Sequence, residues 1–172
     1  MFKLLRQIAV VGIKTEAPPK PDPALRQLRE QLHDAAMARL GRAVAIRHVD
    51  AGSCNLCEME LQLLEGPHYH LEALGIRFVA SPRHADMLLV TGPVTRHMEA
   101  ALRATWEAMP HPKCVVAAGD CGCTGGIYRD SYACRSGVAS VLPVDVAIPG
   151  CPPTPTALMQ GILTAVTNFR PP

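Results

Sequence analysis

Residues 44–61, VAIRHVDAGSCNLCEMEL, change character halfway along. The first six, VAIRHV, form a short apolar run rich in β-branched residues, the composition of a buried strand. Beyond Gly52 the pattern turns helical, with Ser53 read as N-cap and Cys54 and Cys57 one turn apart in the first helical turn. A strand that feeds a helix in this way is half of a βαβ unit. The same kind of run recurs as IRFVA (76–80), MLLVT (87–91), CVVAA (114–118) and VDVAI (144–148), each bounded by Gly, Pro or Asp.

Helical patterns separate several of these runs. Residues 96–109 place Met98, Ala101, Leu102, Thr105 and Met109 on one face, with Thr95 as cap. The last helix starts at TPTALMQGILTAV, with Thr154 as N-cap, Pro155 at the first helical position, and Leu158, Met159, Ile162, Leu163 and Val166 as its buried stripe. Strands alternating with helices predict an α/β fold: a mostly parallel sheet covered on both faces.

Residues 1–42 read differently and are expected to form an N-terminal amphipathic extension and linker, leaving 43–172 as the α/β domain. MFKLLRQIAVVGI sets Phe2, Leu4, Leu5, Ile8 and Val11 among Lys3 and Arg6. It is shorter than the roughly 20 apolar residues that span a bilayer. A helix packed on the body of the protein is expected, with a helix lying on a membrane or a partner as the alternative. EAPPKPDP is a proline-rich connector, and Leu25, Leu28, Leu32, Ala36 and Leu40 mark a peripheral amphipathic helix over 24–40.

The chain has 172 residues, enough for one domain with a sizeable core at 48% hydrophobic content. A net charge of +2 with no dense basic stripe argues against a nucleic-acid partner. The seven cysteines are an odd number, and no charged, apolar leader with a cleavage site is read at the start. Both features favour a reducing compartment, where clustered thiols bind metal or do redox chemistry.

Ligands of open α/β sheets collect beyond the carboxyl ends of the strands. Cys54 and Cys57 follow the first run, Cys121 and Cys123 the fourth, and Cys151 the fifth. A helix N-terminus favours ionised thiols, and GDCGCTGG lets backbone N–H groups approach sulfur. In PGCPP, Gly150 allows close approach while Pro149, Pro152 and Pro153 stiffen the turn that aims Cys151. A redox dithiol leaves the later loops unexplained, and a structural zinc site draws its ligands from paired knuckles. An iron–sulfur cluster is favoured because it needs four thiolates with N–H donors around them. Cys114 and Cys134 read as core residues, and Cys121 and Cys123 both stand as candidates in their loop. GDCGCTGG lacks the Lys-Ser/Thr ending of a P-loop. Glu58 is either a solvated acid of a helix start or a proton-handling group, and Arg83 and His84 either add positive charge near the cluster or occupy a surface turn.

HVDAGSCNLCEMEL, SPRHADMLLVTGPVTRHM, GDCGCTGGIY and LPVDVAIPGCPPTPTAL, in this order, resemble the small subunit of membrane-associated, energy-converting [NiFe] hydrogenases of the formate-hydrogenlyase type. They are also similar to the homologous B subunit of respiratory complex I. The resemblance covers about residues 43–168. It implies a flavodoxin-like domain with one [4Fe–4S] cluster held by Cys54, Cys57, Cys121 and Cys151, and raises the proton-handling role of Glu58. It further implies a non-catalytic electron-transfer subunit, peripheral on the cytoplasmic side of the membrane. Its expected partners are a catalytic large subunit, a ferredoxin-like iron–sulfur subunit and integral membrane subunits. The complex I homologue has adjacent cysteines, so the spaced pair here favours the hydrogenase branch. Only 21 residues follow Cys151, which fits a single cluster. A zinc-stabilised interaction module is the rival of another class.

Overall fold

All five apolar runs form strands of one parallel sheet: β1 (Val44–Asp50), β2 (Ile76–Phe78), β3 (Met87–Thr91), β4 (Cys114–Ala118) and β5 (Val146–Ile148), in the order β2-β1-β3-β4-β5. This computed structural model describes residues 2–12 and 22–169. The order is that of a flavodoxin-like doubly wound sheet, as the family resemblance implies. Registers such as Ile46↔Met87, Val90↔Ala117 and Ala118↔Ile148 keep the carboxyl ends of β1, β3, β4 and β5 on one edge.

Alternation along each strand divides the core in two. Met87 and Leu89 face one layer with Val116 and Ala118, covered by the helices α2 (Pro23–Leu40), α3 (Leu56–Glu65) and α6 (Pro155–Asn168). Leu88 and Val90 face the other with Val115 and Ala117, covered by α4 (Arg96–Ala108) and by Val138, Val141 and Leu142. Strands buried on both sides have no polar face, which is why MLLVT and CVVAA read as continuous apolar runs.

Helix ends follow local chemistry. The Asp22 carboxylate accepts from Ala24 N at 2.9 Å, Pro23 opens α2, and Gly41 ends it at φ 62°. Thr154 Oγ1 accepts from Ala157 N at 3.2 Å, with Pro155 opening α6. Leu158, Met159, Ile162 and Val166 are buried as expected, and Leu163 is half-buried.

Several expectations need correction. α3 starts at Leu56 with Asn55 as cap in the left-handed region (φ 71°), so Ser53 and Cys54 precede the helix. Thr95 makes no side-chain cap to α4, and Ala101 is exposed because the buried side of that helix narrows to Leu102, with Met109 just beyond its end. GDCGCT is not an open loop but the short helix α5 (Gly119–Thr124), closed by Gly125 at φ 91°. The segment Phe2–Val11 does form a helix, α1, but every residue of it is exposed rather than packed on the body. Leu28, Leu32 and Ala36 of α2 are buried against the sheet and α6; the side chain of Leu40 and residues 16–21 of the connector lie outside the described residues.

Candidate metal centre

Strand order reverses between β1 and β3, and the loops beyond their ends are pressed together there. Ala51 N donates to Thr91 O at 2.8 Å, and a Cβ on Gly92 would lie 2.7 Å from Ser53 N. Asp50 shapes the turn: its Oδ1 accepts from Gly52 N at 2.8 Å and Ser53 N at 2.7 Å. Ser53 Oγ in turn accepts from Asn55 N at 3.1 Å. This Asx turn leaves Cys54 exposed just before α3 and Cys57 half-buried in its first turn.

A reciprocal pair joins the other two loops. Asp120 N donates to Gly150 O and Gly150 N to Asp120 Oδ1, both at 2.8 Å, fixing α5 beside the turn that carries Cys151. Burial first, then Glu58, then Cys54, Cys121 and Cys151 push the Cys57 thiol up to about 12. Burial also raises Cys121, followed by Cys151, Cys54, Asp120 and Cys134. Cys57 and Cys121 thus both feel Cys54 and Cys151, as expected where sulfurs from three loops share a small volume. In the bare protein, burial and repulsion therefore outweigh any ionising effect of the helix N-terminus at Cys57 and Cys121. Cationic iron would reverse that balance.

The donor set fits an iron–sulfur cluster. Among the described residues no three His, Cys, Asp or Glu side chains are grouped so as to hold one metal ion. Four thiols brought by three separate turns, with the backbone N–H groups of glycine-rich segments beside them, are the donor chemistry such a cluster needs. Two glycines keep room for it. A Cβ on Gly119 (φ 83°) would meet Cys57 Sγ at 2.7 Å, and one on Gly126 would meet Cys121 Sγ at 3.0 Å.

Cys121 and Cys123 separate cleanly. Two residues apart on a helix, their side chains diverge by about 200°. Cys123 Sγ lies 3.6 Å from Ala117 O and packs against the second core layer, away from the other thiols. Cys114 is buried in β4, and Cys134 is half-buried and bridges Thr95. Arg83 and His84 occupy a surface turn at Pro82–His84, and line a cavity with Arg42 and Asp86 at the amino ends of β1 and β3, opposite the thiols.

Glu58 is buried, at 9% exposure, so the solvated reading fails. Its Oε1 accepts from Thr91 Oγ1, which also lies 2.9 Å from His48 Nε2. Its Oε2 is buried without a hydrogen-bond partner among the described residues, and Glu58 lines a cavity of about 440 Å³ with Arg47 and His48. Burial lowers the His48 pKa, against the attraction of Glu58 and Asp50. Sequence reading missed His48, Thr91, Asp50 and Asp120. A polar residue closing the apolar run MLLVT was the available signal for Thr91.

Beside the thiols, Leu56, Met59 and Leu63 of α3 are about half exposed, and Ile127 and Tyr132 beyond α5 are almost fully so.

The family model described as NADH ubiquinone oxidoreductase, 20 Kd subunit, matches residues 54–165. Formate hydrogenlyase subunit 7 of Escherichia coli (strain K12) is 43% identical over 130 residues, 76% of this chain and 51% of that relative, so the match spans about half of its length. The NADH-quinone oxidoreductase B subunit of Desulfovibrio desulfuricans is 43% identical over 129 residues, 74% of this chain and 69% of that relative. Among solved structures, that of the membrane-bound sulfane sulfur reductase, an archaeal respiratory membrane complex, aligns with a TM-score of 0.65 and 36% identity over 81% of this chain and 77% of its own. With the motif-bearing loops, the parallel sheet and these likenesses in agreement, the chain belongs to the NADH ubiquinone oxidoreductase 20 kDa subunit family.

Proposed function

We propose that this chain is the electron-transfer subunit of a membrane-associated [NiFe] hydrogenase complex, with one [4Fe–4S] cluster ligated by Cys54, Cys57, Cys121 and Cys151. The observation that best supports the proposal is that the turns bearing these cysteines gather at one sheet edge, two of them tied by the Asp120–Gly150 pair, with Cys123 turned toward the core. When bound, the cluster supplies one-electron exchange between a catalytic large subunit and a ferredoxin-like subunit. The chain's own residues hold and shield it. Asp120 and Gly150 fix two ligand loops against each other, and Gly119 and Gly126 keep side chains off the sulfurs. Thr91 and His48 orient Glu58, whose free Oε2 is placed to hold a proton at the interface. The apolar residues Leu56, Met59, Leu63 and Ile127 offer a surface for the large subunit to cover, which would keep water from the cluster.

A second reading, a complex I-like subunit that passes electrons toward quinone, is favoured by the equal 43% identity to an NADH-quinone oxidoreductase B subunit. The co-purifying large subunit separates them: two CxxC pairs for nickel and iron mark a hydrogenase, and their absence the second reading. Peripheral attachment on the cytoplasmic side, through integral membrane subunits, belongs to the same proposal. Among the described residues no helix is long and apolar enough to cross a membrane.

Anaerobic purification with iron and sulfide analysis and low-temperature EPR tests the cluster. Cys121→Ser is expected to lose the native signal and Cys123→Ser to keep it. A colourless, zinc-loaded protein would overturn the redox account in favour of a zinc-stabilised module, and equal signals from both variants would overturn the ligand assignment.

A further inference from the structure

The connection from β2 to β3 gathers basic side chains that electron transfer does not use. Arg42 precedes β1, Arg77 lies in β2, and Arg83 and His84 lie on the Pro82–His84 turn; with Asp86 and Pro110 they line a cavity of about 280 Å³. Arg77 pairs in register with Ala45, whereas its neighbours Ile76 and Phe78 face the α2 and α6 layer. Alternation turns Arg77 to the other face, the one that Val79 and Ala85 of the crossing segment cover.

Charge in this cavity is unbalanced. Asp86, its one carboxylate, accepts from Arg42 Nη1 at 2.9 Å, Arg42 Nη2 at 2.6 Å and Ala45 N at 2.9 Å. Arg42 is thereby pinned, and its guanidinium neutralises the Asp86 carboxylate, whose acceptor sites are mostly taken. Neither Arg77 nor Arg83 has a carboxylate within ion-pair distance among the described residues. Three guanidiniums from separate segments thus line one cavity whose single carboxylate Arg42 neutralises, with Pro110 as the apolar lining. Recognition here is of negative charge rather than of an apolar body. Guanidinium forks match the oxygens of phosphate in paired hydrogen bonds.

We propose that this cavity binds an oxyanion of the phosphate class, supplied by free phosphate or by the headgroup of an anionic phospholipid. The site lies at the amino ends of β1 and β3, away from the thiols, and does not depend on the cluster.

The test uses the full chain at fixed ionic strength, with calorimetric titration of inorganic phosphate and flotation on phosphatidylglycerol or phosphatidylcholine vesicles. An Arg77→Gln, Arg83→Gln double variant removes the unpaired guanidiniums and leaves Arg42 to hold Asp86. An Arg26→Gln, Arg103→Gln variant removes equal charge elsewhere. The first is expected to weaken binding at least tenfold, and the second to leave it unchanged. Phosphate binding assigns a soluble anion; selective loss of capture on phosphatidylglycerol, without phosphate binding, assigns a lipid headgroup. Failure to bind either probe, or the same loss in both variants, overturns the proposal.

Discussion

Gly119 shows how a residue with no side chain can decide a site. Its positive φ of 83° disfavours any side chain, and the Cβ of alanine would press on Cys57 Sγ at 2.7 Å. Gly119→Ala is therefore expected to lower iron and sulfide per chain several-fold in anaerobically purified protein, with circular dichroism checking that the fold persists. Thr91 is fully buried, and its hydroxyl donates to the Glu58 carboxylate. Thr91→Val keeps the shape but removes that donor, at an expected cost of about 2 kcal/mol in urea unfolding. His48 has its pKa lowered from 6.5, mainly by burial, so the unfolded chain takes up this proton before the folded one does. Stability from this group is full above pH 6.5 and falls as pH drops below it toward the lowered folded value. His48→Gln should flatten this part of the acid limb when melting temperatures are compared between about pH 7.5 and about pH 5.5.

Among the elements, α6 was readable from local signals alone, because its cap, its opening proline and its stripe of Leu158, Met159, Ile162 and Val166 are all close in sequence. α5 was not. The glycines of GDCGCTGG read as a loop, yet the segment is held helical by its place after β4 and by the Asp120–Gly150 pair. That helical phase separates Cys121 from Cys123. The starts of β1 and β3 are joined by Asp86, which is only 5% exposed and satisfies both Arg42 and Ala45 N. Asp86→Ala strands the Ala45 N–H as well as breaking the ion pair. A loss of about 2–3 kcal/mol is expected, seen as a lower denaturant midpoint at unchanged slope.

For the molecule as a whole, α1 stands apart in burying none of its residues among the described residues. Phe2 is 88% exposed and Val10 77%, beside Lys3 and Arg6, a pattern suited to a membrane surface or a membrane subunit. Removal of residues 1–20 is expected to loosen attachment to the membrane fraction while the cluster remains. Unchanged co-purification with membrane subunits after that deletion would refute the role, whereas loss of iron would show that the segment supports the fold itself.

Alternating strands and helices, the five apolar runs and the spacing of the cysteine motifs were legible in the sequence by itself, because periodicity, caps and turn residues act over a few neighbours along the chain. Tertiary structure alone decided that Cys123 faces the core, that Glu58 is buried beneath Thr91 and His48, and that Arg42, Arg77 and Arg83 share a cavity. Those relations join residues that are remote in sequence or set by the phase of a short helix. They follow from strand order and from which face each crossover covers, and long-range packing of the whole sheet sets both.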